Sequence, residues 1–158
     1  FFGGYTNTIN WNRFTLTALF TFSYGNDLIY QKDVSDSGMS SLANRGTRVL
    51  NHYSEDNTRL IAQEDVGNHL YALNVYDASY LKLKTLSLSY NLPESICRKV
   101  RIKSASVYGT ATNVFTITSY PGPDPEVSDD PTSFIGGGRD VSTYPTVKSY
   151  TFGIRINF

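Results

Sequence analysis

The stretch "YPTVKSYTFGIRINF", residues 144–158, carries an apolar residue at every second position from Tyr150 to its final aromatic. Tyr150, Phe152, Ile154, Ile156 and Phe158 alternate with Ser149, Thr151, Gly153, Arg155 and Asn157. A period of two places the first set on one face of an extended strand and the second on the other. Residues 13–25, "RFTLTALFTFSYG", repeat the design. Phe14, Leu16, Ala18, Phe20, Phe22 and Tyr24 share one face. Arg13, Thr15, Thr17, Thr21 and Ser23 share the other, with Leu19 as the exception.

Two further segments fit the same pattern. In "SYLKLKTLSLSYNL" (79–92), Leu86, Leu88 and Tyr90 oppose Thr85, Ser87 and Ser89, but Leu81 and Leu83 fall out of phase with them. In "SASVYGTATNVFTIT" (104–118), Ala105, Val107, Gly109 and Ala111 oppose Ser104, Ser106, Thr110 and Thr112, with Tyr108 among the polar set. With the opening "FFGGYTNTINW", the chain holds about five amphipathic strands, the longer ones about twice the usual globular length. The opening reads as the middle of a strand, so Phe1 is expected to be a cut point and the chain a fragment.

The connections alternate short, long, short, long. "NWN" (10–12) is read as a tight turn and 92–103 as a modest one. Residues 25–78 and 119–145 are long, polar and rich in Gly, Pro, Asp and Asn. A transmembrane β-barrel alternates short periplasmic turns with long extracellular loops, and its strands turn an apolar face to lipid and a polar one to the lumen. A soluble sandwich would have shorter strands and more even loops. Five strands cannot close a transmembrane barrel, whose smallest bacterial forms need about eight. Nor can open edges stand in lipid, where their backbone groups find no partners. The expected fold is therefore all-β: the C-terminal strands of a larger antiparallel barrel, with its earlier strands outside residues 1–158.

Composition narrows the function. Lys+Arg 14 balance Asp+Glu 14, which leaves no electrostatic footprint for nucleic acid. A single cysteine, Cys97, excludes an internal disulfide framework.

Longer strings carry a resemblance. Ser79, Tyr80, Leu81, Leu83, Lys84, Tyr90 and Pro93 form one element, with Lys82 at a position where Arg is usual. Asn113, Val114, Phe115 and Thr116 form a second, and Gly122, Asp124, Pro125 and Glu126 a third. "YP" (144–145) precedes the closing strand. Together these resemble the C-terminal end of SusC-like TonB-dependent transporters, from about residue 74 onward. The resemblance implies a barrel of 22 strands with an N-terminal plug in the bacterial outer membrane. It implies import of glycan oligosaccharides or peptides, a SusD-like lipoprotein partner, TonB engaged through the missing N-terminal part, and no cofactor. It also implies that Tyr150, Phe152, Ile154, Ile156 and Phe158 form the signal read by the outer-membrane assembly machinery. In that orientation 25–78 and 119–145 are extracellular and 92–103 is periplasmic. Lys82 and Lys84 then snorkel to water at the outer rim, and Trp11 and Tyr90 join a lower aromatic girdle.

Candidate sites follow from residue type. Tyr53, Tyr71, Tyr76, Tyr120 and Tyr144 lie in the long loops and offer flat apolar faces with polar tips, suited to stacking on sugars. Asp124, Glu126, Asp129 and Asp130 gather hard oxygen ligands that a Ca²⁺ ion would accept, although the spacing matches no EF-hand and a Pro-stiffened surface loop is the stronger reading. "FIGGGRD" reads as a loop tip. His52 and His69 lie near Asp56, Glu64 and Asp65, but no nucleophile motif accompanies them, so the sequence points to no enzyme. A short helix within 35–53 fits capping by Ser37 or Ser40. Two other classes stand beside the importer: a soluble or surface-exposed β-sheet domain binding a ligand, and a barrel enzyme.

Overall fold

One extra residue in the third long strand reconciles its two halves. The computed structural model describes residues 1–31, 74–127, 138–141 and 143–158. Its elements are β1 (Phe2–Trp11), β2 (Phe14–Ser23), β3 (Asp27–Tyr30), β4 (Val75–Asp77), β5 (Tyr80–Asn91), α1 (Glu94–Lys99), β6 (Ser104–Thr118), β7 (Arg139–Asp140) and β8 (Ser149–Asn157). Against β2, Leu19 opposes Thr85 and Phe20 opposes Leu83, so the register skips Lys84. Against β6, Leu83 opposes Phe115 and Thr85 opposes Thr112, which sets Asn113 and Val114 against the same Lys84. This double bulge shifts the phase by one. Leu81 and Leu83 therefore return to the face of Leu86, Leu88 and Tyr90. Asn113 takes φ 51° at the bulge, a left-handed conformation that asparagine tolerates better than most residues.

The chain divides into two compact units. The first comprises residues 1–25, 79–119 and 146–158. It is a five-stranded sheet in the order β1-β2-β5-β6-β8. Every pairing in it is antiparallel. Neighbours in the sheet are therefore successive long strands, the up-and-down order of a barrel wall. Ten residues of β2 at about 3.3 Å each, tilted as barrel strands are, project to roughly 23–27 Å, which matches the height of an outer-membrane apolar band.

The first hairpin closes one or two residues later than the sequence suggests. Asn10 and Trp11 continue the ladder, opposite Thr15 and Phe14. The Thr15 hydroxyl donates to Asn10 Oδ1 at 2.8 Å, and the turn itself is Asn12-Arg13, with Asn12 at φ 53°. The second short connection is more than a turn, because α1 starts directly after Pro93 and turns Cys97 inward. Proline suits a helix start, and Glu94 at the first turn with Arg98 and Lys99 at the last complements the helix dipole.

The second unit comprises residues 26–78 and 120–145. Its described part is a three-stranded sheet in the order β4-β3-β7, with β3 antiparallel to β4 and parallel to β7. Strands of four, three and two residues are too short to display a period, so the sequence reads as loop there. Leu28, Ala78 and Tyr120 are its buried apolar centre, with Tyr30 and Tyr76 packed against them. The expected 35–53 helix, His52, His69, Asp56, Glu64, Asp65, Tyr53, Tyr71, Asp129 and Asp130 lie outside the described residues.

Candidate functional site

The two faces of the five-stranded sheet differ sharply. On one face, rung by rung, stand Trp11, Phe14, Tyr90, Val107 and Ile154, then Ile9, Leu16, Leu88, Gly109 and Phe152. Asn7 and Ala18, then Tyr5 and Phe20, carry the series onward, with Leu86, Leu83, Ala111 and Tyr150 beside them. Many of these side chains are bare: Phe152 is 82% exposed, Ile154 67% and Trp11 73%. A contiguous apolar face of this extent is unfavourable in water and suits contact with lipid.

Aromatic rings concentrate at both ends of that face. Trp11 stacks on Phe14 with centroids 6.2 Å apart, and Phe14 meets Tyr90 at 4.7 Å. At the opposite end Phe1 contacts Tyr24 at 5.3 Å and Phe22 edge-on at 6.1 Å. Aromatic girdles of this kind mark the two interfaces of a membrane. The expected places of Trp11 and Tyr90 agree with this arrangement.

The other face is a ladder of short polar side chains. Hydroxyls pair across strands at Thr8–Thr17 (3.3 Å), Ser87–Thr110 (3.0 Å) and Thr112–Ser149 (2.7 Å). At its end Asn157 Nδ2 donates to Ser104 Oγ at 2.8 Å. Threonine and serine favour strands there because neighbouring hydroxyls satisfy one another while the methyls pack.

Between β6 and β8, glycines make room for rings. A Cβ at Gly153 would lie 2.5 Å from the Tyr108 ring, and a Cβ at Gly109 would lie 3.1 Å from Phe152. The two pairs occupy successive rungs, Tyr108 with Gly153 and Gly109 with Phe152, one on each face. The segment ahead of β8 is held as well. Asn113 Nδ2 donates to the Val147 carbonyl at 2.8 Å and Lys82 Nζ to Thr146 Oγ1 at 3.2 Å.

Lys82 corrects an expectation. It was placed at the rim, reaching for water, but it is 1% exposed and hydrogen-bonded. The bulge explains the difference: Lys82 opposes Thr21 and Thr116 on the polar face, whereas Lys84 is the extra residue at the bulge.

The third motif element turns out to build the second unit. Tyr120 was taken as an exposed sugar-stacking ring, yet it is 5% exposed, and its hydroxyl donates to Asp140 Oδ2 at 2.8 Å. Its ring meets Tyr30 at 5.7 Å and Tyr76 at 6.5 Å, both edge-on. Burial first, then the hydrogen bond and charge of Asp140, push the Tyr120 phenol above its ordinary value. Tyr76 is half-buried in the same cluster, and Gly122 lies against the Tyr120 ring with no room for a Cβ. Asp124 is buried, and its Oδ1 accepts the Glu126 amide at 3.0 Å, which ties off the turn around Pro125. That bond gives Asp124 a structural role. Among the described residues no group of three or more acidic, histidine or cysteine side chains is arranged to hold a metal. Of the described tyrosines proposed for ligand contact, Tyr144 is the open one, at 81% exposure.

No family model matches the chain. Relatives do. The chain is 30% identical over 161 residues to TonB-dependent receptor P3 of Formosa agariphila, covering 98% of this chain and 16% of that protein. It is 24% identical over 164 residues to the TonB-dependent receptor SusC of Bacteroides thetaiotaomicron, covering 98% of this chain and 15% of that one. Among solved structures, the RagAB peptide importer in its open-open state superposes with a TM-score of 0.81 at 30% identity, over 99% of this chain and 17% of that one. The chain thus spans about a sixth of the length of the proteins it matches. Relatives of this kind are receptors and transporters, not enzymes. The two-faced antiparallel sheet, the paired aromatic girdles and these likenesses agree: the chain belongs to the SusC-like TonB-dependent receptors of the bacterial outer membrane and matches the C-terminal part of their barrel.

Proposed function

We propose that the chain is the C-terminal portion, 1–158, of the barrel of a TonB-driven nutrient importer that works with a SusD-like lipoprotein. The observation that carries this reading is the sheet itself, apolar and aromatic-girdled on one side and hydroxyl-lined on the other. A soluble ligand-binding β-domain, the competing reading, would leave that apolar face in water. TonB engages the part of the receptor that precedes these strands. The long connections 25–78 and 119–145 are extracellular, because both leave the sheet from the end opposite its two short turns.

The cargo is glycan oligosaccharide, met by tyrosine faces in those connections: Tyr144, exposed here, together with Tyr53, Tyr71 and the half-buried Tyr76. Peptide is the second reading, favoured by the likeness to an importer named for peptides. β8, with Tyr150, Phe152, Ile154, Ile156 and Phe158, is the segment that the assembly machinery reads. The test is uptake by cells carrying the parent receptor and its lipoprotein, supplied with labelled oligosaccharides or labelled peptides. TonB-dependent uptake of oligosaccharide supports the first reading and of peptide the second. Uptake of neither, or a parent protein that partitions into the soluble fraction, overturns the importer.

A further inference from the structure

On the apolar face of the five-stranded sheet lies a concavity of about 450 Å³. Its floor is Ala111 of β6, beside Gly109, which the Phe152 ring covers. Strand order puts Phe14 and Tyr90 to one side of that floor and Tyr150 and Phe152 to the other. A small residue between aromatic walls forms a channel rather than a flat surface.

The strands at its centre, β5 and β6, are joined by residues 92–103, and that connection is strongly basic. It holds Arg98, Lys99, Arg101 and Lys103 against one acid, Glu94, which pairs with Arg98 at 3.0 Å. Lys99, Arg101 and Lys103 are exposed and form no ion pair among the described residues. The chain as a whole is neutral, so this is a local excess of positive charge. Ile96 and Val100 are also exposed on the same connection, giving it apolar side chains to set into an interface. Val107, at the groove's lower end, is four residues from Lys103, about 13 Å of extended chain, and one leaflet of the hydrocarbon core is about 15 Å deep.

We propose that the groove and the basic connection together hold one anionic phospholipid of the periplasmic leaflet. An acyl chain lies along Ala111 between the aromatic walls, and the phosphate meets Lys99, Arg101 and Lys103. Charge complementarity selects the headgroup, because exposed lysine and arginine at a membrane surface draw anionic lipid. The groove continues the lipid-facing side of the wall, so its occupant is lipid.

The test uses the intact parent receptor in nanodiscs of equal phosphatidylglycerol and phosphatidylethanolamine, followed by release and native mass spectrometry. One phosphatidylglycerol retained per receptor is expected. The combined variant Lys99→Gln, Arg101→Gln, Lys103→Gln lowers that retention at least tenfold, and Ala111→Phe lowers it by filling the groove. Heat-modifiable gel mobility reports folding of each variant. If Ala111→Phe does not fold, the triple variant, whose changes lie outside the strands, decides. Equal retention of both lipids, or unchanged retention in the triple variant, overturns the proposal. Substrate uptake, read separately, is unaffected by that outcome.

Discussion

The ring of Tyr108 on β6 occupies the space where a side chain at Gly153 on β8 would begin, 2.5 Å from a Cβ placed there. One rung away Phe152 lies over Gly109 in the same manner, on the opposite face. The two strands are thus locked by complementary bulk and absence of bulk. An aromatic over a glycine also covers backbone that glycine leaves bare.

Gly153→Ala should therefore destabilise the folded receptor by about 1–3 kcal/mol, as overpacking does. Gly109→Ala should cost less, because its contact with the Phe152 ring is looser, at 3.1 Å. Urea unfolding of the detergent-folded parent receptor measures both. Adding Tyr108→Ala to Gly153→Ala should recover part of the loss, which a change in backbone preference alone would not allow.

The two faces of β8 should respond oppositely to charge. Phe152→Arg places a cation on the lipid side and should cost about 2–4 kcal/mol if it lies near the midplane. Thr151→Arg, on the polar face, should be nearly neutral. Yields of assembled, heat-modifiable receptor from outer membranes distinguish the two. Equal losses would mean that the faces are assigned wrongly.

Deleting Lys84 should be tolerated, whereas deleting Leu83 should lower assembly. Without Lys84, Leu83 and Leu81 follow Leu86 in unbroken alternation on the apolar face, whereas without Leu83 the apolar position beside Leu86 falls to Lys84. Assembly yield again provides the readout.

Tyr120→Phe removes the hydroxyl that donates to Asp140, whose side chain is completely buried, and should cost about 1–3 kcal/mol in the second unit. The pH dependence has a definite sign. The folded phenol is raised above its ordinary value of 10.0, so between that pH and its folded value the unfolded chain ionises and the folded chain does not. The stability that this group contributes is full below pH about 10 and falls as the pH rises beyond it. Local hydrogen exchange in residues 120–127, compared between native protein and Tyr120→Phe, should show a smaller alkaline loss in the variant.

Much of this molecule was legible in one dimension because strand amphipathicity is local. The alternation from Tyr150 to Phe158, or from Phe14 to Tyr24, needs only the two-residue period of extended backbone to separate lipid from lumen. The uneven lengths of the connections then oriented the wall. What the period could not contain was decided by partners distant in the chain. The phase break at Leu83 became a bulge only when β2 and β6 set its register. Lys82 was buried by Thr146, 64 residues on, rather than left at a wet rim. Tyr120 looks like any loop tyrosine until Leu28, Ala78 and Asp140 surround it. Burial and register are properties of what packs alongside a residue. Sequence therefore set the faces of this wall, and tertiary contact decided which polar and aromatic side chains would be hidden within it.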